Sequence, residues 1–125
     1  MSDDNVIHWF EIPVTDLDRA IGFYEAVFGT RLQRERMGGF ELAVFPHGSG
    51  VGGALACGPQ FTPSAHGVLP YLAVTEVGVA LDRAVSRGAT VLMPRTELPG
   101  SIGTIAVFSD SEGNSIGIHA APAAA

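Results

Sequence analysis

The sequence predicts an α+β domain made of two tandem βαβββ modules, and three observations carry that prediction. Trp9 to Gly29, WFEIPVTDLDRAIGFYEAVFG, reads as a strand, a capped turn and an amphipathic helix. The stretch returns as LPYLAVTEVGVALDRAVSRGA, Leu69 to Ala89, without a gap at an offset of sixty (Val14 with Val74, Ala20 with Ala80), as a duplicated unit would. After each copy come short apolar runs separated by Gly, Pro, Ser and Asn, which read as further strands.

In order, residues 1 to 5 form a polar tail and Val6 to Val14 the first strand. Thr15 and Asp16 then supply a capping oxygen and a first-turn acid, and Leu17, Ala20, Ile21, Tyr24, Val27 and Phe28 recur at helical spacing. Gly29 stands where a left-handed C-terminal cap is wanted. TRLQRERM is a strand with a polar outer face, Gly38-Gly39 a turn, FELAVF a strand, PHGSG a loop and VGGALAC a glycine-rich strand. The segment from Gly58 to Gly67 is too rich in Pro, Gly and Ser for regular structure and links the modules, with Phe61 placed to cover a cavity mouth or a subunit seam. Val68 to Val74 and Val77 to Arg87 repeat strand and helix, capped by Thr75-Glu76 and closed near Gly88. TVLMP is a strand, PRTELPGSIG a loop, TIAVFSD and SIGIHA strands joined by the turn SEGN, and APAAA a frayed tail. Module one thus spans about 6–57, the linker 58–67 and module two about 68–120. One such module leaves an open sheet with an apolar face, so the pair is expected to form a curved mixed sheet around a cavity.

The 125 residues make one domain, and 46% hydrophobic with 16% charged residues excludes a disordered chain. No apolar run approaches the roughly 20 residues that cross a bilayer, so no membrane partner is expected. The acidic start MSDDNVIHW lacks the features of a secretory signal, and a lone Cys57 forms no internal disulfide, which together point to the cytoplasm. Cys57 itself reads as a small, half-buried hydrophobe. A net charge of −6, with only seven cationic side chains, argues against nucleic acid as a partner. All seven are arginines, and the absence of lysine removes Schiff-base chemistry and a phosphate-loop lysine.

The paired modules, the VTDLDRAIGFYEAVFG segment and the closing FSDSEGNSIGIH resemble the vicinal oxygen chelate superfamily, which includes glyoxalase I, extradiol dioxygenases and bleomycin-resistance proteins. The resemblance covers about residues 6 to 120 and rests on Asp16, Phe23, Tyr24, Gly29 and the turn Asp110 to Asn114. It implies a homodimer that takes a small-molecule ligand. It also implies a divalent cation held by one His or Glu on the first and last strand of each module. Carried onto this chain those four positions are Trp9, Ala54, Leu69 and Gly117, none of which offers a lone pair suited to a metal. No metal and no other cofactor are therefore expected.

Side chains two residues further along each strand point the same way. They are Glu11, Ala56, Tyr71 and His119. The resemblance then implies that Glu11, Tyr71 and His119 face one cavity, with Trp9, Ala54, Ala56, Leu69 and Gly117 lining it. Burial among Trp9, Phe10, Ile12 and Pro13 would suit Glu11 to act as a general base, with His119 and Tyr71 as donors. The expected function is metal-independent acid-base chemistry of isomerase or lyase type on a small polar or carbonyl-bearing molecule. Two alternatives stand beside it: a protein that binds an antibiotic-like ligand without changing it, and a metal-dependent glyoxalase or dioxygenase.

Overall fold

The computed structural model describes residues 5–122, so the first four residues of the N-terminal tail and the last three of APAAA lie outside the described residues. The chain runs β1 (Trp9–Val14), α1 (Leu17–Phe28), β2 (Gln33–Met37), β3 (Phe40–Val44), β4 (Gly52–Cys57), β5 (Tyr71–Ala73), α2 (Val77–Ser86), β6 (Thr90–Leu98), β7 (Gly103–Ser109) and β8 (Ser115–Ala120). This is the βαβββ order twice over. The strands form two four-stranded sheets, β1-β4-β3-β2 and β5-β8-β7-β6, in which the first and last strand of each module pair parallel and the rest antiparallel. Within one chain these are two separately hydrogen-bonded sheets.

Local chemistry sets the helices. Asp16 is extended at the cap of α1 and its carboxylate accepts from the Arg19 backbone at 3.0 Å, while Gly29 closes the helix at φ 62°. Replacing Asp16 by alanine should cost about 1 kcal/mol, read as a lowered urea midpoint with an unchanged slope. Glu76, at the equivalent place before α2, makes no side-chain cap bond, so the repeat in sequence is not a repeat in capping.

Two elements differ most from expectation, and β1 and β2 also begin three residues later than predicted, at Trp9 instead of Val6 and at Gln33 instead of Thr30. β5 is only three residues, because Pro70 offers no N–H and Val68 is almost fully exposed. β6 runs nine residues through Pro94, where a loop is predicted; register shifts between Val91 and Met93 and between Met93 and Thr96 accommodate the proline.

The helices lie between the sheets. Ile12, Val14, Ala43 and Leu55 of the first sheet share one core with Ala106, Phe108, Ile116 and Ile118 of the second and with buried residues of both helices. Phe23 of α1 stands 5.9 Å from Phe108 of β7, and its neighbour Tyr24 stands 5.8 Å from Phe45, just past β3. Each large side chain buried here contributes roughly 1.5 to 3 kcal/mol. The strand residues of opposite parity therefore look outward, away from the helix layer, on both sheets. Among the described residues, no helix is long and apolar enough to cross a membrane.

Candidate functional site

Alternation along β1 sends Ile12 and Val14 inward and Trp9 and Glu11 outward. Trp9 is 41% exposed, and its indole Nε1 donates to Glu11 Oε2 at 3.2 Å; among the described residues Oε1 accepts no hydrogen bond. His47, in the loop before β4, brings its ring to 5.9 Å from that of Trp9, edge to face. It occupies the space that a Cβ on Gly52 would take, and its Nδ1 donates to the Gly48 carbonyl at 3.0 Å. Behind this pair lies an apolar floor: Leu42, Ala54 and Ala56 are buried beside Phe40, Val44 and Phe61. Phe61 of the linker packs edge-on against Phe40 at 5.4 Å, so the linker aromatic joins this face.

The register sharpens the geometry. Ala54 is level with Glu11, Trp9 is level with Gly52, and Gly117 is level with Tyr71. Glu11 and Tyr71, rather than Trp9 and Leu69, thus stand beside the last-strand positions of their modules.

On the second sheet Tyr71, Gly117 and His119 face outward, since Leu72, Ile116 and Ile118 face the core. Tyr71 is 44% exposed and its ring lies over Gly117. His119 is half-buried, and its Nε2 donates to the Ile102 carbonyl at 2.6 Å, which occupies one of the two ring nitrogens expected to serve a ligand. Leu69 is 39% exposed before β5.

The sequence-predicted set is therefore split. Glu11, Trp9, Ala54 and Ala56 belong to the outer face of the first sheet; Tyr71, Gly117 and His119 belong to that of the second. The cavity that Glu11 borders includes neither Tyr71 nor His119. Glu11 borders a small cavity of about 160 Å³ with Pro13, Ser64, Pro70 and Ser115, too small for an ordinary ligand. Glu11 is also exposed in the single chain, where the sequence predicts burial.

The donor set at the positions carried over for a metal does not fit a divalent cation. Trp9, Ala54, Leu69 and Gly117 supply no suitable lone pair, and any side chain at 117 would meet the Tyr71 ring, Cβ to Cδ1 at 2.5 Å. Among the described residues, no group of three or more His, Cys, Asp or Glu side chains converges elsewhere.

Sequence reasoning missed His47 and Glu35. The signal for His47 is the pair Gly52-Gly53, which leaves room for rings from elsewhere; here His47 covers the first and Phe10 the second. For Glu35 it is the tight Gly38-Gly39 turn, which pairs Met37 with Phe40 and so sets Glu35 opposite the outward Leu42.

The model of the Glyoxalase/Bleomycin resistance protein/Dioxygenase superfamily matches residues 6–118. "Putative glyoxylase CFP32" of Mycobacterium bovis is 28% identical over 123 residues, covering 89% of this chain and 44% of its own length. The chain thus spans less than half of that curated relative. TnmS3, an antibiotic binding protein from Streptomyces sp. CB03234, superposes with a TM-score of 0.70 at 24% identity, over 98% of this chain and 100% of that one. A glyoxalase/bleomycin resistance protein from the same Streptomyces strain gives a TM-score of 0.66 at 27% identity, over 89% of this chain and 96% of that one.

Proposed function

Because the chain belongs to the glyoxalase/bleomycin resistance protein/dioxygenase superfamily, we propose that it binds a small molecule on the outer face of its first sheet, without a metal and without changing the ligand. The observation that carries this reading is Trp9: a large aromatic left exposed over an apolar floor, with its indole N–H held by Glu11. A flat ring to stack on, a floor to exclude water and a few polar anchors are what retention of a ligand requires. Similarity to an antibiotic binding protein agrees with it.

One chain leaves this surface open, and the second sheet leaves Tyr71 and Met93 exposed on its own outer face. The proposed assembly is a homodimer in which the outer face of module one in one copy meets that of module two in the other, enclosing the ligand and bringing Glu11 toward the partner's Tyr71 and the partner's His119. Exposed apolar surface on both faces supports that pairing.

A second reading keeps Glu11 as a general base acting on a carbonyl-bearing molecule, with Tyr71 and His119 as donors. It is favoured by a carboxylate oriented through Oε2 whose Oε1 accepts no hydrogen bond among the described residues.

The deciding experiment is a thermal-shift and mass-spectrometric screen of small molecules on the wild type and Glu11→Gln, each with and without chelator. A ligand at a hundredfold excess over its Kd should stabilise the wild type by about 2.7 kcal/mol, and should be recovered with unchanged mass. Consumption by the wild type but not by Glu11→Gln would establish the catalytic reading instead. Loss of effect with chelator would overturn both.

A further inference from the structure

None of the seven arginines stands on the outer face of either sheet. Arg19 and Arg83 are on helices, Arg87 caps α2, and Arg31 lies in the connection after α1. Arg34 and Arg36 pair in register with Ala43 and Glu41 on the helix side of the first sheet, where Arg34 reaches Asp18 of α1. Arg95 turns toward α2, its Cδ close to Gly78. The chain has no lysine.

Carboxylates are distributed differently. Glu11 is level with the outward Ala54, and Glu35 is opposite the outward Leu42, so both stand on the outer face of the first sheet. The outer face of the second sheet carries Tyr71, Ser115, Ile105, Val107 and His119, with neither a carboxylate nor a guanidinium. Whichever copy supplies it, a surface closed over Glu11 by these residues holds negative charge and no fixed cation.

We propose that the ligand is a small organic cation with a flat ring, the ring lying against Trp9 and the positive charge directed to Glu11. This rests on the outer face of the first sheet being the ligand surface. The indole face attracts a cation through its ring quadrupole, and Glu11 Oε1, which accepts no hydrogen bond among the described residues, can face the ligand's positive charge. Glu35 and the net charge of −6 add long-range attraction of the same sign. A ligand whose recognised group is a carboxylate, sulfonate or phosphate would be brought beside Glu11 with no guanidinium or lysine ammonium among the described residues to pair with, and is rejected by that repulsion.

Trp9 is the single tryptophan, so its fluorescence reports this surface directly. The probes are three forms of one ring system: N-methylacridinium, neutral acridine and acridine-9-carboxylate, titrated into the full chain. The cation should quench Trp9 with a Kd about tenfold or more below that of the carboxylate, with the neutral form between. Glu11 is exposed, so Glu11→Gln keeps the fold; it should bring the cation and carboxylate to within about threefold of each other, and Glu35→Gln should narrow the gap less. Added salt should narrow it as well. Equal affinity for cation and carboxylate, or an unchanged preference in Glu11→Gln, would overturn the cation assignment while leaving ligand binding on this face intact. Absence of quenching by all three probes would overturn that reading together with this one.

Discussion

Replacement of Glu112 by alanine is expected to lower stability by about 2 to 3 kcal/mol, because a fully covered carboxylate is lost together with all its hydrogen bonds, although its partner Arg19 is half-exposed. Glu112 belongs to the turn between β7 and β8, yet everything it holds outside that turn is in module one. Oε1 accepts from the backbone of Thr15 at 2.9 Å and of Asp16 at 3.0 Å, from the Thr15 hydroxyl at 3.0 Å and from Arg19 Nη2 at 2.9 Å. Oε2 accepts from Arg19 Nε at 2.7 Å and from the Ser111 hydroxyl at 2.9 Å. The side chain has no exposed surface. Alanine would leave the N–H groups ahead of α1 and the Arg19 guanidinium without their acceptor, and would cut a clasp between the modules.

The same carboxylate sets a pH dependence. Burial works to raise its pKa, but the hydrogen bonds from Arg19, Thr15, Ser111 and Asp16 outweigh burial and bring it from 4.5 down to about 2. A carboxyl held lower in the folded chain than in the unfolded one stabilises the fold fully above the unfolded value. That stabilisation is lost as pH falls through about 2. With solvent screening at the half-exposed Arg19, about 1 to 2 kcal/mol should disappear across this window in the wild type and much less in Glu112→Gln, followed by urea denaturation at successive pH values. Parallel pH profiles for the two proteins would show that the clasp is not what holds the modules.

Asp110→Ala should cost about 3 kcal/mol, because one buried carboxylate ties together the turn and the helix packed on it. Oδ1 accepts from the backbone of Glu112 at 2.8 Å and of Asn114 at 2.9 Å; Oδ2 accepts from the Tyr24 hydroxyl at 2.6 Å and Asn114 Nδ2 at 3.0 Å. Tyr24 is fully buried, and burial first, then the charge of Asp110, pushes its phenol well above the ordinary value, so it stays a neutral donor. Removing Asp110 strands that hydroxyl in the core. Tyr24→Phe alone should cost about 1 to 2 kcal/mol, and the double variant less than the sum, since the phenylalanine leaves nothing stranded. Additive losses in equilibrium unfolding would mean that the two groups act independently. Asn114 extends the network by donating through Nδ2 to the Pro13 carbonyl at 2.8 Å, a second tie from the same turn to β1.

How much of this was legible in the sequence varies by element. β1 and α1 were, because alternation at Ile12 and Val14, helical spacing from Leu17 to Phe28, the Asp16 cap and Gly29 are local signals with local causes. β6 was cut short at Pro94, since a proline reads as a strand breaker unless the register shifts that tolerate it are known. The D-x-E-G-N turn was visible as a motif. Its role was not, because the partners of Asp110 and Glu112 lie 86 to 97 residues away along the chain.

The candidate site divides in the same way. Period two sent Trp9 and Glu11 to one face and paired Tyr71 with Gly117 and His119, and the structure keeps those groupings. The poor donor chemistry of Trp9, Ala54, Leu69 and Gly117 was also readable from residue types alone.

By itself, then, the sequence determined the two modules, the inward and outward faces of their strands, the unsuitability of the carried-over metal positions and the exclusively arginine cationic set. The tertiary structure alone decided that the helices lie between the sheets, that Glu11 and His119 stand on the outer faces of different sheets, that Tyr71 covers Gly117, and that every arginine is kept off the outer faces. The physical reason is range. Faces and caps follow from neighbours within one helical turn or strand pair, whereas the choice of which face meets which depends on burying Phe23 against Phe108 and on five hydrogen bonds from module one to one distant carboxylate.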